Sequence, residues 1–272
     1  MRLILNYVFI ALLSGLMQHA VAQCDIKNIS SFQPGEKIKF KAYYHLLWDT
    51  YAADVQFSVS QKMHQEEPVY SFQAIGTTIK KFDWVYKVCD RFQSNVSMNN
   101  FNPVWAKRET SEGDYVAVEN YSFVSNGRKI YTEVLNSEHP YKRDSLTMNC
   151  CAFDVLTLVY YCRTIDYNNY KKNDKITVNL VVDGNIYPIY IRYRKKEVIK
   201  NQFDNKKYRC ILLSVLCLKG SIFDGGENLK IWVTDDENKV PIKIQAKIQI
   251  GTVIGYMSET EGLRNKTTAI IN

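Results

Sequence analysis

From Val240 to Ile250 apolar and polar side chains alternate without a break. Val240, Ile242, Ile244, Ala246, Ile248 and Ile250 share one parity, and Pro241, Lys243, Gln245, Lys247 and Gln249 share the other. Successive strand side chains point to opposite faces, so the segment predicts a long strand with one dry and one wet face. That pattern belongs to antiparallel sheets, because parallel strands are covered on both sides. Lys37–Tyr44 and Ala53–Val59 alternate in the same way, and Tyr70–Thr77, Val85–Val96, Val116–Phe123 and Lys129–Leu135 are β-rich with less clarity. Ile176, Val178, Leu180 and Val182 form a clean strand that ends at Asp183-Gly184, a pair suited to a tight hairpin. The return strand, Ile186–Tyr193, contains Pro188, whose missing N–H predicts an edge or a bulge.

Tyr208–Leu218 is apolar on both parities and predicts a strand buried on both faces. Leu229–Thr234 then turns through Asp235–Asn238 into the opening strand, and Val253–Met257 precedes a polar tail with little reason to be ordered. One stretch departs from the pattern. Ala152–Arg163 places Phe153, Leu156 and Tyr160 at helical spacing with Val155, Val159 and Cys162 beside them, and Asn149 or Asp154 supplies a polar start. A helix apolar almost all round predicts burial against the sheet as a core plug. The expected fold is therefore mainly β: a single antiparallel domain, its curved sheet rolled into a partly open barrel with one central helix packed against its concave side.

Residues 1–22 read as a signal peptide: Arg2, the apolar run Leu3–Met17 and the Ala20-Val21-Ala22 cleavage signal. The expected division is that leader followed by one exported domain over 23–272, periplasmic or at the cell surface, with no transmembrane anchor after cleavage. Cys24 follows Gln23 and not the small residue of a lipoprotein signal, so acylation there is not expected. Removing Arg2 leaves 34 basic against 28 acidic residues, or +6, a mild basicity that fits anionic surfaces and does not imply nucleic acid. Aromatic residues at 13%, with 19 tyrosines, argue against disorder. All seven cysteines follow the leader, so an oxidising compartment permits disulfides and at least one thiol is left over. Spacing alone does not assign their connectivity.

The chain carries few marks of catalysis. His45, His64 and His139 stand at no metal-binding spacing, C-x-x-C is absent, and no nucleophile elbow, Walker loop or dinucleotide fingerprint occurs. Asp235 and Asp236 are neighbours in a turn, where carboxylates are ordinarily solvated turn formers. No cofactor, metal or catalytic residue is expected. Arg192–Arg209 gathers eight basic residues around Tyr190, Tyr193, Phe203 and Tyr208. Arg192, Arg194, Lys195, Lys196, Lys206 and Lys207 would contact an anionic glycan or lipid, against the plainer reading of a solvated hairpin whose lysines discourage edge pairing.

Three marks together carry a family resemblance. Gly35-Glu36-Lys37 leads into the strand FKAYYHLLW; Asp154-Val155-Leu156 is followed by Tyr160-Tyr161-Cys162-Arg163; Trp232-Val233-Thr234-Asp235-Asp236 is followed by Val240-Pro241-Ile242-Lys243. This order resembles the exported bacterial family known as domain of unknown function 3108. The resemblance implies export and a mostly antiparallel β architecture with few helices, and structural roles for Gly35, Glu36, Asp154, Tyr160, Arg163, Trp232, Asp235, Asp236 and Pro241. It supplies no activity. The expected function is a non-catalytic cell-envelope protein holding a hydrophobic or amphipathic ligand inside the curved sheet. Two alternatives stay open: an adaptor docking protein or glycan through a sheet edge or the basic 192–209 segment, and an enzyme of unrecognised type. Oligomeric state is not legible.

Overall fold

The computed structural model describes residues 26, 29–124, 128–148, 150–219 and 224–271. The expected leader 1–22, Cys24 and Asn149 lie outside the described residues. The strands are β1 (Lys37–His45), β2 (Asp49–His64), β3 (Glu67–Thr78), β4 (Cys89–Ser97), β5 (Pro103–Glu112), β6 (Tyr115–Val124), β7 (Lys129–Asn136) and β8 (Lys142–Thr147). After helix α1 (Val155–Thr164) and a 3-10 turn at Tyr167–Asn169 come β9 (Lys175–Val182), β10 (Asn185–Lys200), β11 (Lys207–Lys219), β12 (Asp224–Thr234), β13 (Pro241–Lys247), β14 (Thr252–Glu261) and β15 (Ile270–Ile271). They form one antiparallel sheet in the order β8-β7-β6-β5-β4-β3-β2-β1-β14-β13-β12-β11-β10-β9, with β15 added to β11. The end strands β8 and β9 do not pair, so the sheet curls without closing into a barrel. Among the described residues no helix is long and apolar enough to cross a membrane.

Alternation drives the curl. In β1, Ile38, Phe40 and Ala42 are buried while Lys37, Lys39 and Lys41 face outward. Asp183 and Gly184 both take positive φ, 51° and 68°, which a two-residue turn requires for its twist to match the strands. β11 is buried on both faces: Ile211, Leu213 and Val215 join one core cluster, and Tyr208, Cys210 and Leu212 another. Pro188 marks a splay. The β10–β11 ladder begins only at Ile191–Val215, so residues 185–190 pair with β9 alone. Without an N–H, Pro188 could not have continued the second ladder.

Three expectations need correction. The Val240–Ile250 strand stops at Lys247, because the Ile248 N–H bends back to the Gly251 carbonyl and leaves Ile250 exposed. β5 and β8 were not foreseen, since β5 carries Arg108 and Glu112 on the parity of its dry face and β8 buries no side chain that alternation could mark. The C-terminal tail is held in place: Arg264 donates to the Ile29 carbonyl, Asn265 to the Ser30 carbonyl, and Ala269 is fully buried.

Antiparallel order puts the turns after odd-numbered strands at one end of the roll and those after even-numbered strands at the other. The second end is closed. Arg163, in the last turn of α1, is 2% exposed and grips Glu36, 1% exposed, through Nη1–Oε1 at 2.5 Å and Nη2–Oε2 at 2.9 Å. Its Nη2 also donates to the Ser31 carbonyl at 2.9 Å and its Nε to the Asn238 carbonyl at 3.0 Å. The guanidinium lies 5.5 Å from the Phe32 ring and 5.6 Å from the Tyr160 ring. Tyr160 stacks on Phe72 of β3, with centroids 3.9 Å apart.

A buried ion pair repays its desolvation only when both partners remain. Arg163→Met alone should therefore cost about 3–5 kcal/mol, while pairing it with Glu36→Leu should recover much of that loss. Urea denaturation of the two single variants and the double checks this; additive losses would contradict it.

Candidate functional site

Helix α1 does not fill the roll. Its apolar surface divides into two faces. Leu156, Leu158, Tyr160 and Tyr161 are buried in the core, whereas Val155, Val159 and Cys162, spaced for one helical stripe, are only partly covered. That stripe borders a cavity of about 470 Å³. Opposite the helix stand Ile189 and Ile191 of β10, Leu213 and Val215 of β11, Leu229 and Ile231 of β12, and Phe40, Phe57 and Phe92 from the first half of the sheet. The helix is positioned at both ends. Arg163 anchors its C-terminus, and Asp154 caps its N-terminus by accepting from the Leu156 and Thr157 N–H groups and from the Ser94 hydroxyl. Burial raises the Asp154 carboxyl above its ordinary value, opposed by those same hydrogen bonds.

Four charged lining residues, Arg108, Glu112, Asp183 and Lys219, stand at the end reached by the turns after odd-numbered strands, and the one at the closed end, Arg163, is neutralised by Glu36. Arg108 of β5 donates to Glu119 at 2.8 Å and to Asp183 at 3.1 Å. The Asp183 N–H donates to Glu119, the Gly184 N–H to the Tyr121 hydroxyl, and that hydroxyl to Glu119. This clasp joins β5–β6 to the β9–β10 turn, so side chains close the gap that no ladder spans. Burial raises the Glu119 carboxyl despite Arg108. Glu112 is pushed to about 7, first by burial and then by the neighbouring Asp90 carboxylate and their hydrogen bond. Lys219 makes no ion pair with a described residue.

The basic segment is largely used within the fold. Arg192 and Arg194 both bond Glu227, which also accepts from Tyr190 and the Ser214 hydroxyl. Burial would raise Glu227, but these bonds prevail and hold it at about 2. Lys195 pairs with Glu197 and Lys196 with Asp235, while Lys206 and Lys207 are exposed at the hairpin end. Asp236 accepts from the Asn238 and Lys239 N–H groups and from the Ala269 N–H, a turn former that also pins the tail. Trp232 donates to Glu197, Pro241 opens β13, and Gly35 takes φ 96° where its N–H meets the Val59 carbonyl. Arg108, Glu112, Asp183 and Lys219 were missed as site residues. Only Asp183 carried a local signal, as a turn former.

Cys151 is disulfide-bonded, and Cys89, Cys150, Cys162, Cys210 and Cys217 are free thiols. Burial pushes Cys162 up to about 12, which makes it a poor nucleophile. Among the described residues no group of three His, Cys, Asp or Glu side chains could hold a metal ion.

The family described as Protein of unknown function (DUF3108) matches residues 39–258. No curated protein matches the chain. Among solved structures, the beta-barrel-like protein of domain of unknown function DUF1849 from Brucella abortus superposes with TM-score 0.50 at 8% identity, over 85% of this chain and 98% of that one. A protein from Bacteroides fragilis, described as exported and of YmcC-like fold, gives TM-score 0.39 at 10% identity over 88% and 99% of the two chains. At these identities the first likeness establishes the fold alone.

A carboxyl raised by folding holds its proton longer in the folded state than in the unfolded one. Stability from Glu112 should therefore fall as pH rises from its ordinary 4.5 through about 7. Thermal melts across that range should show Glu112→Gln flattening the decline; a profile unchanged by the substitution would contradict the Asp90–Glu112 pairing.

Proposed function

The chain belongs to the DUF3108 family, and because no activity comes with that membership we propose a function from geometry: a non-catalytic, exported cell-envelope protein that holds an amphipathic ligand. The observation carrying this reading is the cavity of about 470 Å³, apolar along its length, with Arg108, Glu112, Asp183 and Lys219 gathered at one end and the Arg163 charge at the other already paired with Glu36. Ligand sites are ordinarily concave, mainly apolar and supplied with a few orienting polar groups at such volumes. An engineered apolar cavity of ~150 Å³ stays dry and admits benzene, so a void about three times larger has room for an acyl chain.

The polarity of the lining gives the ligand a direction. Its apolar chain would lie against Val155, Val159 and Leu213, and its polar head would sit beside Lys219, Arg108 and Glu112. The splay between β10 and β11 opens the wall at that same end. Export is supported by the leader pattern of residues 1–22 and by the disulfide at Cys151, which persists best in an oxidising compartment. The raised thiol of Cys162 and the half-buried pairing of Arg192 and Arg194 with Glu227 favour binding over nucleophilic chemistry or a basic docking strip.

Protein purified without detergent should yield a co-purifying amphiphile on organic extraction and mass spectrometry, near one per chain. Val159→Trp fills the cavity from the helix side and should cut retention several-fold without lowering the melting temperature. An empty wild-type protein, or equal retention in the variant, would overturn the reading.

A further inference from the structure

Three neighbouring turns at the charged end of the cavity display large apolar side chains to solvent. Between β1 and β2, Leu47 is 78% and Trp48 71% exposed; between β3 and β4, Trp84 is 85% and Val85 51% exposed; between β13 and β14, Ile250 is 68% exposed. The turns are packed together. The Tyr44 hydroxyl donates to the Ile250 carbonyl at 3.1 Å, the Tyr44 and Phe82 rings are 6.0 Å apart, and the Ile79 N–H reaches the Ala52 carbonyl at 2.9 Å. The β3–β4 turn is itself ordered by hydrogen bonds from the Phe82, Asp83 and Tyr86 amides. These side chains are therefore presented from a fixed frame. Monomeric soluble proteins rarely leave such a cluster uncovered without a use for it.

We propose that this rim docks the protein onto the surface of an anionic phospholipid bilayer. Two tryptophans and several aliphatic side chains stand together at the turn tips, a composition that suits the membrane interface. Its charge is complementary. Lys80, Lys81, Lys87 and Lys247 are exposed on the same turns, while the acids there are engaged: Asp49 with His45 at 2.7 Å and Asp83 with the Thr78 hydroxyl. Basic residues beside inserted aromatics add attraction to anionic headgroups. The rim also adjoins the cavity mouth, because the Tyr86 hydroxyl donates to the Glu112 carbonyl at 3.2 Å. A docked rim would bring the mouth to the lipid. The docking itself rests on the exposed rim and holds whether or not the cavity carries a ligand.

Full-length mature protein is mixed with vesicles of phosphatidylcholine, with or without phosphatidylglycerol, and sedimented. The wild type should bind the anionic vesicles in a salt-sensitive way, with a blue-shifted tryptophan emission quenched by brominated lipid. Trp48→Ser with Trp84→Ser should weaken binding by on the order of tenfold or more, and Lys80→Gln with Lys81→Gln should remove the preference for phosphatidylglycerol. Equal melting temperatures establish that both variants are folded, and equal amphiphile retention separates this result from the fate of the ligand reading. No sedimentation of the wild type, or undiminished sedimentation of the tryptophan variant, overturns docking. Concentration-dependent self-association abolished by the same tryptophan changes would assign the rim to a second copy of the chain and likewise overturn it.

Discussion

The buried pairing of Arg163 with Glu36 is the constraint on which the interior depends. It joins the end of α1 to the segment that leads into β1, and through the Asn238 carbonyl to the β12–β13 turn. Elements far apart in sequence thus meet at one guanidinium. Taking both charges out of water costs several kcal/mol each, and a bidentate contact with two further carbonyls offsets it only in this one arrangement. The pair therefore contributes more to specifying where the helix ends than to net stability. With that end fixed, the Val155, Val159 and Cys162 stripe must face the void.

At the other end the roll is held by different means. The sheet stops at β8 and β9, and Arg108, Glu119, Tyr121 and Asp183 bridge the gap by side chains. A ladder there would have drawn the walls together strand by strand. A side-chain clasp fixes the walls at one point and leaves the β10–β11 splay open beside it. Closure by packing at the floor and by a clasp at the mouth explains how the roll keeps a cavity of about 470 Å³ where protein interiors are ordinarily close-packed.

Periodicity made the strands legible because it reports which face of a strand is dry. Ile176–Val182, the Asp183-Gly184 turn and the doubly buried β11 follow directly from it. It failed for β5, where Arg108 and Glu112 point toward a charged mouth and so read as solvent-facing. The same limit hid which face of the helix borders the expected cavity. Val155 and Val159 are apolar whether they meet a side chain or a void, so the helix read as a plug. Partners distant in sequence escaped for a simpler reason: nothing near Arg192 announces Glu227 on the next strand but one. Gly35, Glu36, Asp154 and Arg163 were visible as a resemblance, and their hydrogen bonds show what each does in this fold.

The central claim is that an apolar chain enters at Lys219 and runs inward along α1. Nuclear magnetic resonance with stearate carrying a nitroxide tests it most directly, by placing the label first at the terminal carbon and then beside the carboxylate. The account predicts that the terminal label broadens the methyl signals of Val159 and Leu213 and spares the amide of Lys219, with the reverse for the carboxylate-side label. Broadening confined to outward-facing residues, or the same for both labels, would contradict it.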